Sequence, residues 1–200
     1  MVTLILRRGE RGKQTLLSFP VETPAARDEN AAILAALRNE AAPVFIESAA
    51  SPVLNLGCYL RGVDILADGE AERIERLAER LEQMSEIDCD KFSGMLDANS
   101  ISGTKDILKL TEQLDDYTIL PNCSSPRSIG RYLVGCGAFP VPEELTGYID
   151  YGAVGTEFQT EHGGAVCCRG YVVQKKGLPQ KALEDLHMEA DQTIYKMTKR

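Results

Sequence analysis

Residues 68–86 read DGEAERIERLAERLEQMSE. Ile74, Leu77, Leu81 and Met84 recur at three- and four-residue intervals, the period of one face of an α-helix, while Glu72, Glu75, Glu79, Glu82 and Glu86 line another. The stretch decides the fold class because the chain before it has a different period. Thr3-Leu4-Ile5-Leu6 and Leu16-Leu17-Ser18-Phe19-Pro20 read as strands around a polar, glycine-bearing connection, so the chain opens on a hairpin. Thr23-Pro24 offers an N-cap followed by proline at the first helical position, and Ile33, Leu34 and Leu37 give a short apolar face up to Asn39. Pro43-Val44-Phe45-Ile46-Glu47 reads as a further strand, closing a small α+β domain over residues 1–67.

The helical period continues after residue 86. Phe92, Met95 and Leu96 suggest a second short helix, and Thr104 as N-cap, followed by Ile107, Leu110, Thr111 and Leu114, suggests a third. Residues 68–117 therefore read as a central helical bundle. In residues 118–176, Ser125-Pro126 starts a helix carrying Ile129, Leu133 and Val134, which Gly135, Gly137 and Pro140 stop. Pro142-Glu143-Glu144-Leu145 opens a shorter one, and Gly163 to Val173 suits a strand pair turning tightly at Gly170. These residues make a C-terminal α+β domain. From Pro179, Leu183, Leu186, Ala190, Ile194 and Met197 keep helical spacing, so residues 177–200 read as an appended amphipathic helix. The expected fold class is α+β.

With 200 residues, 44% of them apolar, the chain is long enough to bury a core. The longest apolar runs, such as Ala41 to Ile46, fall far short of a membrane span, and the N-terminus lacks a basic-then-apolar leader, so a cytoplasmic location is expected. Six cysteines, Cys58, Cys89, Cys123, Cys136, Cys167 and Cys168, are widely and irregularly spaced and read as reduced thiols.

The formal charge of −8 is unevenly placed. Residues 1–63 carry +1, residues 64–161 carry −12 and residues 162–200 carry +3. The middle of the chain repels nucleic acid and attracts basic surfaces, including those that grip DNA. Its carboxylates are the candidate partner-binding groups: the five glutamates above, Asp115, Asp116, Glu143, Glu144, Asp150 and Glu157. Each has an ordinary structural reading beside the functional one. A glutamate stripe is commonly a solvated face, with Glu72 four residues before Arg76 as an exposed pair. Glu143 and Glu144 would stabilise a helix dipole, Asp115-Asp116 would suit a turn, and Asp150, between Tyr148 and Tyr151, would cap or brace one. Against the bland reading of the stripe, Arg73, Arg76 and Arg80 are too few to neutralise five glutamates.

Enzymatic chemistry has few candidates. The chain has two histidines, His162 and His187, and no Cys-x-x-Cys, His-Glu-x-x-His or phosphate-loop pattern. His162 with Cys167 and Cys168 is the one arrangement suggesting a zinc site or a thiol-imidazole pair, but a fourth ligand is not apparent and adjacent strand residues face opposite ways. The chain therefore reads as a binding protein and not an enzyme, with no cofactor or metal. A thiol-dependent enzyme is the weaker alternative. Lys196, Lys199 and Arg200 at the end are too few to make it a direct nucleic-acid binder against an acidic centre.

The segment Leu145 to Val172 resembles the ArdA-type antirestriction family of mobile genetic elements. The residues that carry the likeness are Tyr148-Ile149-Asp150-Tyr151, then Ala153, Gly155 and Glu157, followed by Gly163-Gly164 and Gly170-Tyr171-Val172. Ile129-Gly130-Arg131-Tyr132, Gly137-Ala138 before Val141-Pro142, Leu17-Ser18-Phe19-Pro20, and Gly103-Thr104-Lys105-Asp106 leading into Leu110-Thr111-Glu112-Gln113-Leu114-Asp115 extend it over roughly residues 1–173. The resemblance implies an elongated three-part α+β protein that forms a homodimer and imitates the charge of bent duplex DNA. Such a protein occupies the DNA-binding groove of type I restriction-modification enzymes. The chain departs from the family pattern at Gly135-Cys136, Gly152 and Thr156, and its helix from Pro126 carries Arg127 and Arg131 without a carboxylate, which makes it a less acidic member. An acidic adaptor for another basic DNA-handling protein is the alternative.

Overall fold

The computed structural model describes residues 1–9, 12–21, 23–39, 42–186 and 188. The fold is mixed α+β, with two three-stranded antiparallel sheets. The chain folds as two compact units, residues 1–96 with 100–114, and residues 97–99 with those from 115 onward. Of the expected final helix, residues 180–186 are helical; His187, Ala190, Ile194, Lys196, Met197, Lys199 and Arg200 lie outside the described residues.

In the first unit β1 (Val2–Arg7) pairs with β2 (Gln14–Phe19), Val2 opposite Phe19 and Arg7 opposite Gln14. The period of two along β1 buries Val2, Leu4 and Leu6 completely and leaves Thr3, Ile5 and Arg7 half-buried. α1 (Pro24–Arg38) starts as expected, Thr23 Oγ1 accepting from Ala26 N at 3.2 Å with proline next. None of its side chains is fully buried. Polar bonds tie it to the hairpin instead: Asn30 Nδ2 donates to the Ser18 carbonyl at 2.9 Å, and the Arg8 guanidinium to that of Leu37. β3 (Phe45–Ala50) completes the sheet on the other side of β1, in the order β2-β1-β3.

A short helix not expected from the sequence, α2 (Leu56–Leu60), follows. Asn55 at its start exchanges two hydrogen bonds with Ser93, of 3.0 and 2.9 Å, which satisfies a buried polar side chain. α3 (Glu70–Glu82) buries Ala71, Ile74, Leu77, Ala78 and Leu81. It ends before Met84, because Ser85 starts a new helix, α4 (Glu86–Ala98). Ser85 Oγ accepts from Asp88 N at 3.2 Å while Asp88 Oδ2 accepts from Ser85 Oγ at 2.8 Å and from Ser85 N at 3.4 Å, a reciprocal cap. α5 (Thr104–Thr111) begins one residue earlier than expected, with Gly103 at the N-cap. Thr104 is instead buried inside the first turn, its hydroxyl donating to Glu70 Oε2. Asp106 serves as the cap partner, accepting from the backbone N–H and hydroxyl of Ser102.

The Ser85 cap gives a stability prediction. Burial alone would raise the Asp88 carboxyl, but hydrogen bonds from Ser85 and Lys91 and the Lys91 charge outweigh it and hold the group below the ordinary range. A folded-state pKa depressed below the unfolded value contributes stability above the unfolded value, about 3.9, and loses it as pH falls through the folded one. Ser85→Ala is expected to cost about 1 kcal/mol at pH 7. In denaturant titrations the gap from wild type should narrow below about pH 4 as Asp88 protonates; a gap independent of pH would contradict the assignment.

In the second unit, β4 (Tyr117–Pro121) pairs with β6 (Gly170–Gln174), which also pairs with β5 (Ala165–Cys167), in the order β4-β6-β5. Of β4, Tyr117 was expected to end the helical region, and residues 118–121 were not expected as a strand. Between β4 and β5 lie α6 (Pro126–Gly135) and α7 (Tyr151–His162). α6 has the expected start, with a capping box between Ser125 and Ser128. The core joins Leu120, Ile129, Leu133, Phe158, Tyr171 and Val173 with Leu178 and Ala182. Each buried Leu, Ile, Val or Phe among them contributes roughly 1.5–3 kcal/mol before entropy is counted.

Candidate functional site

The eleven carboxylates do not form one continuous element. Glu72, Glu75, Glu79, Glu82 and Glu86 belong to the first unit, and Asp115, Asp116, Glu143, Glu144, Asp150 and Glu157 to the second. The helical stripe is also shorter than expected: α3 stops at Glu82, and Glu86 opens α4 behind the Ser85 cap. Glu72, Glu75, Glu79 and Glu82 remain on one side of α3. At about 1.5 Å per residue they present one charge per roughly 5 Å.

Two of the three arginines of α3 are drawn away from those glutamates. Arg73 donates to Glu70 Oε1 at 2.6 Å and to the Asp68 carbonyl at 2.6 Å, and the Glu70 hydrogen bond and charge raise its pKa. Arg80 reaches α5, donating to the Leu108 carbonyl at 3.1 Å, Thr111 Oγ1 at 2.6 Å and Glu112 Oε1 at 2.9 Å. The expected Glu72–Arg76 pair is not formed: among the described residues neither has an ion-pair partner within 4.0 Å. Glu79 is in the same position. Glu82 meets the N-terminal amine at 3.3 Å, and Glu75 meets exposed Arg27 at 4.0 Å. Such exposed pairs contribute about 0–1 kcal/mol and yield to competing cations.

In the second unit Asp115 and Asp116 lie exposed in a 3-10 turn leading into β4, and Glu143 and Glu144 are exposed in the first turn of a 3-10 helix, Glu143–Tyr148. Among the described residues none of these four, nor Glu157, has an ion-pair partner within 4.0 Å. Asp150 is the N-cap of α7: its Oδ1 accepts from Gly152 N at 3.0 Å and Ala153 N at 3.1 Å. The structural reading of Asp150 is therefore met by one oxygen, while the residue stays exposed. Tyr148 is 87% exposed; Tyr151 is half-buried, its hydroxyl bonded to the Thr146 carbonyl at 3.0 Å and its ring 5.9 Å from the Arg131 guanidinium carbon. Arg127 shares a surface depression with Tyr148 and Asp150, so the field there is mixed.

The charge is also less segregated by unit than along the chain. By sequence the first unit carries −5 and the second −3, because the basic N-terminal segment folds with α3 to α5. Negative surface here is thus a matter of local bands rather than of net charge.

Most of the short motifs near the C-terminus serve packing. A Cβ on Gly155 would lie 1.8 Å from the Pro126 carbonyl oxygen, and one on Gly130 would lie 2.0 Å from that of Tyr151. α6 and α7 thus cross in backbone contact, antiparallel, with only glycine fitting at the crossing. Gly170, at φ +151°, brings β6 against β4, where a Cβ would meet the Leu120 carbonyl oxygen at 2.0 Å. Glu157 is the motif residue on α7 that faces solvent with a charge. Four residues on, Glu161 is exposed on the same side; sequence reasoning passed over it, though the i,i+4 spacing was visible.

The thiols divide by burial. Burial pushes Cys123 up to about 11 and also raises Cys89 and Cys136, which keeps all three protonated at neutral pH. Cys58 and Cys168 are exposed, Cys167 is intermediate, and none of the six forms a disulfide. His162 Nε2 lies 3.7 Å from Glu161, and its ring is 4.6 Å from that of Phe158. Among the described residues no three His, Cys, Asp or Glu side chains come together as a metal site, and no helix is long and apolar enough to cross a membrane. A scan against protein-family models and a search of curated proteins both return no match, so the likeness to the ArdA-type family rests on the motifs quoted above.

Proposed function

We propose that the chain is an ArdA-type antirestriction protein, a homodimeric DNA mimic that occupies the DNA-binding groove of type I restriction-modification enzymes in the cytoplasm. The observation that carries the reading is the group of exposed carboxylates without ion-pair partners, Glu72 and Glu79 on α3 and others around α7, while two of the three α3 arginines, Arg73 and Arg80, are turned to other uses. A groove built for DNA presents Lys and Arg to phosphates spaced about 1.7 Å apart along the duplex axis. At roughly 5 Å per charge, α3 supplies about a third of that density. Several acidic elements, and both subunits of a dimer, must contribute the rest. Each carboxylate then accepts a charge-assisted hydrogen bond from the target, without covalent chemistry.

The acidic adaptor for another basic protein shares this electrostatic basis, and the choice of target separates the two. Cells that express the protein and carry a type I system are expected to admit unmodified phage with a plating efficiency raised by about tenfold or more. Unchanged plating across several type I systems would defeat the proposal.

A further inference from the structure

Between α6 and α7 the second unit holds a cavity of about 220 Å³. Leu133, Ala138, Phe139, Val154 and Phe158 form its apolar wall, and exposed Glu157 and Glu161 also line it, with His162 beside them. The volume falls below the roughly 300–1,000 Å³ of small-molecule sites, so it suits one side chain better than a whole ligand. An occupant must offer an apolar stem to the wall and a positive head to two carboxylates one helical turn apart. Lysine and arginine both do so. Arginine fits better, because its planar fork can engage both carboxylates at once and stack on an aromatic face, here that of Phe139, which is 42% exposed.

We propose that this cavity is the receptor for a single arginine side chain of the partner protein. The inference deepens the antirestriction reading and rests on it for the identity of the partner: Glu157 and Glu161 act as a paired phosphate surrogate, and the apolar floor removes the bound guanidinium from bulk water, where its hydrogen bonds are stronger than on an open surface.

The test uses the full-length protein, ¹⁵N-labelled, and a capped Gly-Arg-Gly tripeptide as the probe. Saturable shifts are expected at the amides of Val154, Phe158 and His162, with affinity about tenfold weaker in the exposed double variant Glu157→Gln/Glu161→Gln. Ala138→Phe, which fills the cavity and leaves charge unchanged, is expected to abolish them, and the double variant decides the matter should Ala138→Phe not fold. A capped Gly-Lys-Gly peptide should bind more weakly. Absence of saturable shifts, or equal shifts in wild type and the double variant, overturns the proposal. No restriction enzyme takes part, so the two readings fail separately. A protein that protects phage and ignores the peptide loses the cavity proposal alone, and one that binds the peptide without protecting phage keeps it.

Discussion

Replacing Gly155 by alanine is expected to destabilise the second unit by about 2 kcal/mol net. The added methyl would sit 1.8 Å from the Pro126 carbonyl oxygen, against backbone that no rotamer change can move. Relief requires α6 and α7 to separate along the contact made by Gly130 and Gly155, and overpacking of that severity costs about 3 kcal/mol. Alanine recovers about 1 kcal/mol through its better helix propensity, so the steric term decides the sign. For a unit of this size the melting midpoint should fall by roughly 8–16 °C. Gly135→Ala is the control: nothing lies within 4 Å of its Cβ position, and stability should hold or rise slightly. Equal thermal unfolding of the two variants by circular dichroism would contradict the close crossing.

The second large effect concerns charge. Glu143→Gln, Glu144→Gln, Asp150→Asn and Glu157→Gln combined should weaken antirestriction at least about tenfold, since four lost contacts of about 0.5 kcal/mol each already exceed the 1.4 kcal/mol of a tenfold change. Asparagine is chosen at position 150 because the residue caps α7 through Oδ1, a role asparagine fills about as well as aspartate. Midpoint and far-ultraviolet spectrum should stay at wild-type values, because all four residues are exposed. A fourfold variant that keeps full phage protection would remove these residues from the interface.

Sequence patterns made the N-terminal hairpin, α1, α3 and α6 legible because each carries a local signal: alternation, a Thr-Pro start, a strong apolar stripe, or a Ser-Pro capping box. α7 went unread for the opposite reason. Gly152, Gly155, Thr156 and Thr160 are weak helix formers, and the helix exists through the Asp150 cap and the glycine crossing with α6, a contact that local periodicity does not record. β4 was hidden in the same way, since Tyr117–Pro121 becomes a strand by pairing with β6, some fifty residues later. The split of the acidic stripe at Ser85 was readable, because Ser85-Glu86-Ile87-Asp88 is a capping-box pattern. Of the candidate carboxylates, the sequence shows number and spacing along the chain. The freedom of Glu72 and Glu79 from ion pairs depends on where Arg73 and Arg80 point, which is a tertiary property.

Competition for a purified type I methyltransferase tests the central claim most directly. A labelled duplex bound to the enzyme is titrated with the protein at several salt concentrations. Displacement is expected at low salt and should weaken as salt rises, since exposed charges are screened over about 8 Å at physiological strength. The salt dependence should be shallower than for competing DNA, whose charge is roughly threefold denser along its axis. Failure to displace the duplex at low salt, or displacement indifferent to salt, would contradict the account.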